Sequence, residues 1–161
     1  MLPSLLAAAI ATLPSLPVER LGVEGIGIGD QEGRLITLMP TARCSGVEGG
    51  GEALDRWCRM PDQPVFGVNP DSLSASLHDG AVVTVIARVS RHRWPRLRTN
   101  LLARLGEPQE TLVSAPLPDP AGDAAEAWET LRWTDGTAEL VVAPGPGGDL
   151  LLTLRPLPAQ P

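Results

Sequence analysis

The chain has 161 residues, 43% of them hydrophobic and 20% charged, so it is long enough to bury one core and too apolar to stay disordered. Its formal net charge of −6 lacks the positive field that releases counterions from phosphates, which argues against general nucleic-acid binding. Pro and Gly together number 34 (17 + 17), against four Trp, one Phe and no Tyr, which predicts short elements, many turns and a Leu/Val/Ala core.

Residues 1–11, MLPSLLAAAIA, form an apolar run of about ten residues, the length of a signal-peptide core and too short to span a bilayer. Ala9 and Ala11 supply the small residues that signal peptidase accepts, so the run is read as a signal peptide cleaved after Ala11. No positive charge precedes it, which a start codon further upstream would explain, and the alternative is a buried helix or strand. Residues 12–20 are a Pro-bounded leader, 21–155 a single domain and 156–161 a Pro-rich tail unsuited to a ladder.

The stretch LGVEGIGIGD, residues 21–30, spaces Gly25, Gly27 and Gly29 like a dinucleotide loop. Such a loop needs a strand before it and a helix opening at its end. Here an acidic turn, Asp30 to Gly33, is followed by the β-rich RLITLM of residues 34–39, so a hairpin is predicted. The glycines then serve close backbone approach or a bulge.

Cys44 and Cys58 are the only cysteines, fourteen positions apart around Gly49, Gly50 and Gly51. The spacing suits neither a zinc knuckle nor a C-x-x-C redox pair, and only His78 and His92 could complete a metal set. We therefore expect a disulfide, no metal site and no cofactor, with EALDRW (52–57) as one helical turn and Trp57 packed on the sulfurs. A persistent disulfide and an export signal support one another.

DSLSASLH, residues 71–78, alternates Leu73, Ala75 and Leu77 with polar residues, as a half-buried strand or an Asp-capped turn would. After the Asp79-Gly80 turn, AVVTVIARV (81–89) is the strongest strand, apolar on both faces and so central in a sheet. Residues 93–105 change to a helical period: Trp94, Leu97, Leu101 and Leu105 form one stripe, with Leu102 beside it. Arg93, Arg96, Asn100 and Arg104 form the other face, Pro95 lies in the first turn, and Gly106 with Pro108 stops the helix. A Pro/Ala/Asp loop (114–124) precedes strands at 129–133, 138–142 and 150–154, the first two joined by an Asp135-Gly136 hairpin turn. The fold class is α+β: an antiparallel sheet packed against one main α-helix, loop-rich, with one disulfide.

Residues 81–155 thus run strand, helix ending in Leu105-Gly106-Glu107-Pro108, loop, and a three-strand meander with Trp133 on its first strand. This order resembles the βαβββ units of small exported bacterial domains. The resemblance implies a binding or scaffolding part and transfers no catalytic residue.

Arg88, Arg91, Arg93, Arg96, Arg98 and Arg104 fall within seventeen residues, with His92 among them. They suit a solvated face paired with Asp119, Asp123, Glu126 and Glu129, or an anionic docking patch. Trp94 and Trp133 belong to the core, whereas Trp128, in an acidic stretch, is the candidate exposed anchor. Arg91, Arg93, Arg96 and Trp128 are therefore the candidate binding residues. We expect a non-enzymatic exported domain acting on a protein partner in the cell envelope or outside the cell, as an assembly factor or inhibitor, with no membrane span. One alternative is a small hydrolase using His78 or His92 with a nearby serine (Ser72, Ser74, Ser76) or carboxylate, although no G-x-S-x-G elbow is present. Another is a cytosolic acidic regulatory or immunity-type protein.

Overall fold

A computed structural model describes residues 20–46, 55–114 and 128–158, and every strand among them joins one antiparallel sheet. The predicted signal peptide, most of the leader and the Asp119, Asp123 and Glu126 stretch lie outside these residues. Two meanders build the sheet: β1 (Arg43–Gly46), β2 (Arg56–Arg59), β3 (Ser72–His78) and β4 (Ala81–Val89), then β5 (Glu110–Ser114), β6 (Trp128–Thr134), β7 (Ala138–Pro144) and β8 (Leu150–Pro156). The strand order β1-β2-β3-β4-β8-β7-β6-β5 joins them where β4 pairs with β8. Helix α2 (Trp94–Leu105), entered through a 3₁₀ turn at Arg91–Arg93, links the meanders, and a short helix α1 (Glu32–Leu38) precedes the first.

The expected antiparallel sheet, main helix and disulfide are all present, though the molecule is mostly sheet. Alternation within strands separates a core face from an open face. One row of cross-strand neighbours on the core side runs Cys44, Cys58, Ala75, Val85, Leu154, Leu140 and Trp133. From Cys58 to Trp133 each member is at most 1% exposed. Leu97 and Leu101 of α2 are fully buried in the same core, and Trp94, Leu102 and Leu105 pack at its margin, as the helical stripe requires. Gly106, at φ 75°, ends α2 with its N–H on the Leu102 carbonyl at 3.0 Å.

Several expectations need correction. Residues 34–38 are helical instead of extended, with Met39 as the C-cap: Leu35 and Met39 are buried at i, i+4, and Glu32 pairs with Arg56 of β2 at 3.1 Å. Tertiary contacts here override the β-like composition of RLITLM. Arg56 and Trp57 belong to a strand, not a helical turn, and residues 52–54 of that prediction lie outside the described residues. Trp57 does not cover the sulfurs, because adjacent strand residues face opposite ways and Cys58 takes the core side. Strand β4 is central but not apolar on both faces: Val82, Val85, Ala87 and Val89 are buried, while Ile86 is 39% exposed and Arg88 is exposed. Strand β5 was not anticipated, and Pro156 pairs with Ala138 instead of ending the ladder.

The polar face of α2 is not a plain solvated surface either. It clamps two tight turns, Val23–Ile26 and Val65–Val68, each closed by reciprocal backbone hydrogen bonds of 2.8 and 3.0 Å. Both place positive φ at two central residues, Glu24 with Gly25 and Phe66 with Gly67, as in type I′ turns. Asn100 Nδ2 donates to the Phe66 carbonyl at 2.6 Å, and Arg104 pairs with Glu24 at 3.0 Å.

Asp135 anchors the β6–β7 turn. It accepts from the backbone N–H groups of Ala138, Thr137 and Leu21 at 2.8, 2.8 and 2.7 Å. Burial alone would raise its pKa, but the Ala138, Thr137 and Leu21 donors outweigh it and lower the value from 3.8 to about 2. A depressed carboxylate contributes stability that is present above pH 3.8 and lost as pH falls through about 2. Asp135→Asn should therefore lose stability less steeply than wild type between pH 4 and 2, the remainder coming from groups such as Asp30, and be less stable at neutral pH by about 2 kcal/mol. Urea titrations across that range check both.

Candidate binding surface

The row beside the buried one lies on the open face and crosses all eight strands. It runs Arg43, Arg59, Ser74, Ile86, Thr153, Val141, Arg132 and Glu110. Its centre is aliphatic and hydroxylic, and its ends are charged. At the β5 end the charges are paired. Glu139, whose side chain is 2% exposed, lies between Arg132 Nε and Arg155 Nε at 2.6 Å each, and Arg132 also reaches Glu110 at 3.2 Å. Arg88 pairs with Asp149 at 2.9 Å.

The β1 end differs. Arg43 and Arg59 are directly opposite one another, both exposed, and neither has an ion pair among the described residues. The Arg59 guanidinium lies 4.6 Å from the Trp57 ring centroid, since residues i and i+2 share a strand face. A groove of about 510 Å³ on the Arg59 side is lined by Trp57, Arg59, Pro61, Pro70, Ser72 and Ser74, with Asp62 and Asp71 also on its wall. Asp71 is already engaged, by Ser90 Oγ at 2.6 Å and Arg93 at 3.5 Å.

Of the sequence-predicted binding residues, Arg91 and Trp128 come together, the guanidinium 4.2 Å from the ring centroid. They line a groove of about 690 Å³ with Ser90, His92, Trp94 and Pro95. Trp128 is half-buried at the start of β6 rather than fully exposed in a loop. Arg93 is drawn away to the Asn69 carbonyl and Asp71. Arg96 is exposed on α2 and joins neither groove. The expected pairing of the arginine run with the acidic stretch is realised at Arg98 and Glu129, at 2.7 Å.

The two histidines part company. His92 is exposed at the helix entrance. His78 meets Asp55 through Nδ1 at 2.8 Å and Asp79 through Nε2 at 3.6 Å, in a groove that Ser76 also lines. The Asp55 hydrogen bond, followed by the Asp79 charge, raises the His78 pKa above 6.5. The Asp55 hydrogen bond at Nδ1 and the Asp79 charge near Nε2 both favour protonation of the ring over that of a free imidazole. The interaction is fully present below pH 6.5 and lost as pH rises through the raised value. Ring-proton NMR of Asp55→Asn should show the His78 midpoint falling toward the ordinary value.

Arg43, Arg59 and the role of Trp57 escaped the sequence reading, although a signal was there. Each cysteine has an arginine at its outer flank, Arg43-Cys44 and Cys58-Arg59. A cross-strand disulfide between antiparallel strands necessarily sets those two flanking residues opposite one another. Among the described residues no helix is long and apolar enough to cross a membrane, and no group of three or more His, Cys, Asp or Glu converges as a metal site would need. Comparison with protein families, curated proteins and solved structures finds no match to this chain.

Proposed function

We propose that this chain is a non-enzymatic binding domain that acts on a protein partner in the cell envelope or outside the cell, as an assembly factor or inhibitor does. The observation that carries the reading is the pair of half-buried tryptophans, each stacked with an exposed arginine, Trp57 with Arg59 and Trp128 with Arg91. Tryptophan and arginine are the residue types that most often dominate interface energetics, because each combines a large contact area with a polar handle. The Cys44–Cys58 disulfide supports an oxidising compartment over the cytosolic alternative.

The test is co-purification from the native host with wild-type chain and with Trp57→Ala/Trp128→Ala. A partner held by the wild type and lost by the double variant supports the reading, and equal capture overturns it. Processing after Ala11, a loss of about 1 kDa, tests export. Unprocessed cytosolic protein with reduced thiols would overturn that part.

A second reading rests on the contact between His78 and Asp55 beside Ser76: a hydrolase using that triad-like set. Ester hydrolysis that vanishes in both His78→Ala and Ser76→Ala would favour it over the binding reading.

A further inference from the structure

We propose that Arg43 and Arg59 form a carboxylate clamp, held open by the Cys44–Cys58 disulfide, that receives an acidic extended segment of the partner protein. The inference rests on the binding reading above and gives it a surface and a partner chemistry.

Like charges directly opposite across a strand pair destabilise it. The strands would otherwise fray or slip to relieve Arg43 and Arg59. The adjacent Cys44–Cys58 pair, with Cα atoms 4.0 Å apart, pins the register covalently and denies that escape. An incoming carboxylate relieves the repulsion from both sides at once. Arg59 is poised for it: a guanidinium lying over an indole is restrained by its face, while its N–H donors point outward in the guanidinium plane and fit the two oxygens of a carboxylate.

The rest of the open face supplies contrast and continuity. Arg88, Arg132 and Arg155 already hold carboxylates, so among the described residues the unpaired positive charge of this face collects at the β1 end. From there the row continues through Ser74 to the part-exposed Ile86, a hydroxyl followed by an aliphatic side chain. That sequence of contacts suits an extended chain whose residues on one face, two apart along the chain, run from acidic to apolar. The net charge of −6 repels a long polyanion, and Asp62 at the groove wall adds to this, so a short acidic segment fits better than nucleic acid.

The experiment uses the oxidised full chain and a fluorescein-labelled hexapeptide, Glu-Ser-Glu-Ser-Leu-Ser, which carries glutamate and leucine on one face when extended, followed by anisotropy, with the peptide bearing lysine in place of glutamate as control. The expected result is binding of the acidic peptide at least tenfold tighter than the control, weakened at least tenfold in Arg43→Gln/Arg59→Gln and by raised salt. The glutamine variant should melt no lower than wild type, since a like-charge pair is removed. Reduction with dithiothreitol should weaken binding in the wild type, and melting curves of the reduced protein separate loss of the clamp from loss of the fold. Equal binding of the two peptides, or unchanged binding by the glutamine variant, overturns the proposal. So does binding to phosphatidylglycerol vesicles in place of the peptide. A cellular partner captured equally by wild type and Arg43→Gln/Arg59→Gln would remove this site while leaving the binding reading intact. Capture by neither would remove the reading itself.

Discussion

Replacing Trp133 with alanine should destabilise the protein by about 4 kcal/mol, at the upper end of what single substitutions do, because a large buried side chain leaves a cavity that the sheet cannot close. Trp133 is 1% exposed and ends the buried row that starts at the disulfide. Its loss is also more than a volume change. The indole Nε1 donates to the Gly106 carbonyl at 3.0 Å, at the residue where α2 terminates, so the side chain ties the helix end to the sheet. Trp133→Phe keeps most of the volume and drops the hydrogen bond, and it should cost about 1–2 kcal/mol. Chemical denaturation of the pair separates packing from hydrogen bonding. Equal losses in the two variants would show that the Gly106 contact, not the volume, dominates.

The second large effect belongs to Glu139. Its carboxylate is removed from water and is held by Arg132 and Arg155, which remain 37% and 56% exposed. Glu139→Ala should cost about 3 kcal/mol, near the lower bound for breaking a buried pair, because the two arginines can turn to solvent once the carboxylate is gone. The loss should be nearly independent of salt, in contrast to an exposed pair such as Arg132 with Glu110. Urea midpoints at low and high sodium chloride provide the measurement, with Glu110→Ala as the exposed comparison, expected to change stability by no more than about 1 kcal/mol.

Local signals carried much of the architecture into the sequence. Helix α2 announced itself through its leucine stripe, Pro95 and Gly106, and the β6–β7 hairpin through Asp135-Gly136. The features that suggested exported bacterial domains, the Leu-Gly-x-Pro stop and the tryptophan strand, turn out to touch, through Trp133 and Gly106. What misled was context supplied from far along the chain. RLITLM has strand-like composition, yet the Glu32 N–H is claimed by the Gly80 carbonyl at 2.9 Å and its carboxylate by Arg56, which a local reading cannot see. Strand β5 has a uniformly exposed pattern, with Leu112 at 54% and Val113 at 66%, so no alternation marked it. The binding surface was legible only in part. Its Arg91–Trp128 stack came from composition, whereas the Arg43–Arg59 opposition required knowing that the disulfide lies between neighbouring strands.

The joining of the two meanders through β4 and β8 has a consequence for how the chain is made. Strand β4 ends at Val89 and its second neighbour begins only at Leu150. During synthesis the Val85–Val89 part of the most β-branched strand therefore waits at a bare edge, offering unpaired backbone groups to any other chain nearby, until the whole second meander has emerged. Pairing that distant in sequence is also slow to form. A nascent chain kept unfolded and released all at once would avoid that hazardous interval, since β8 would be on hand from the first moment of folding.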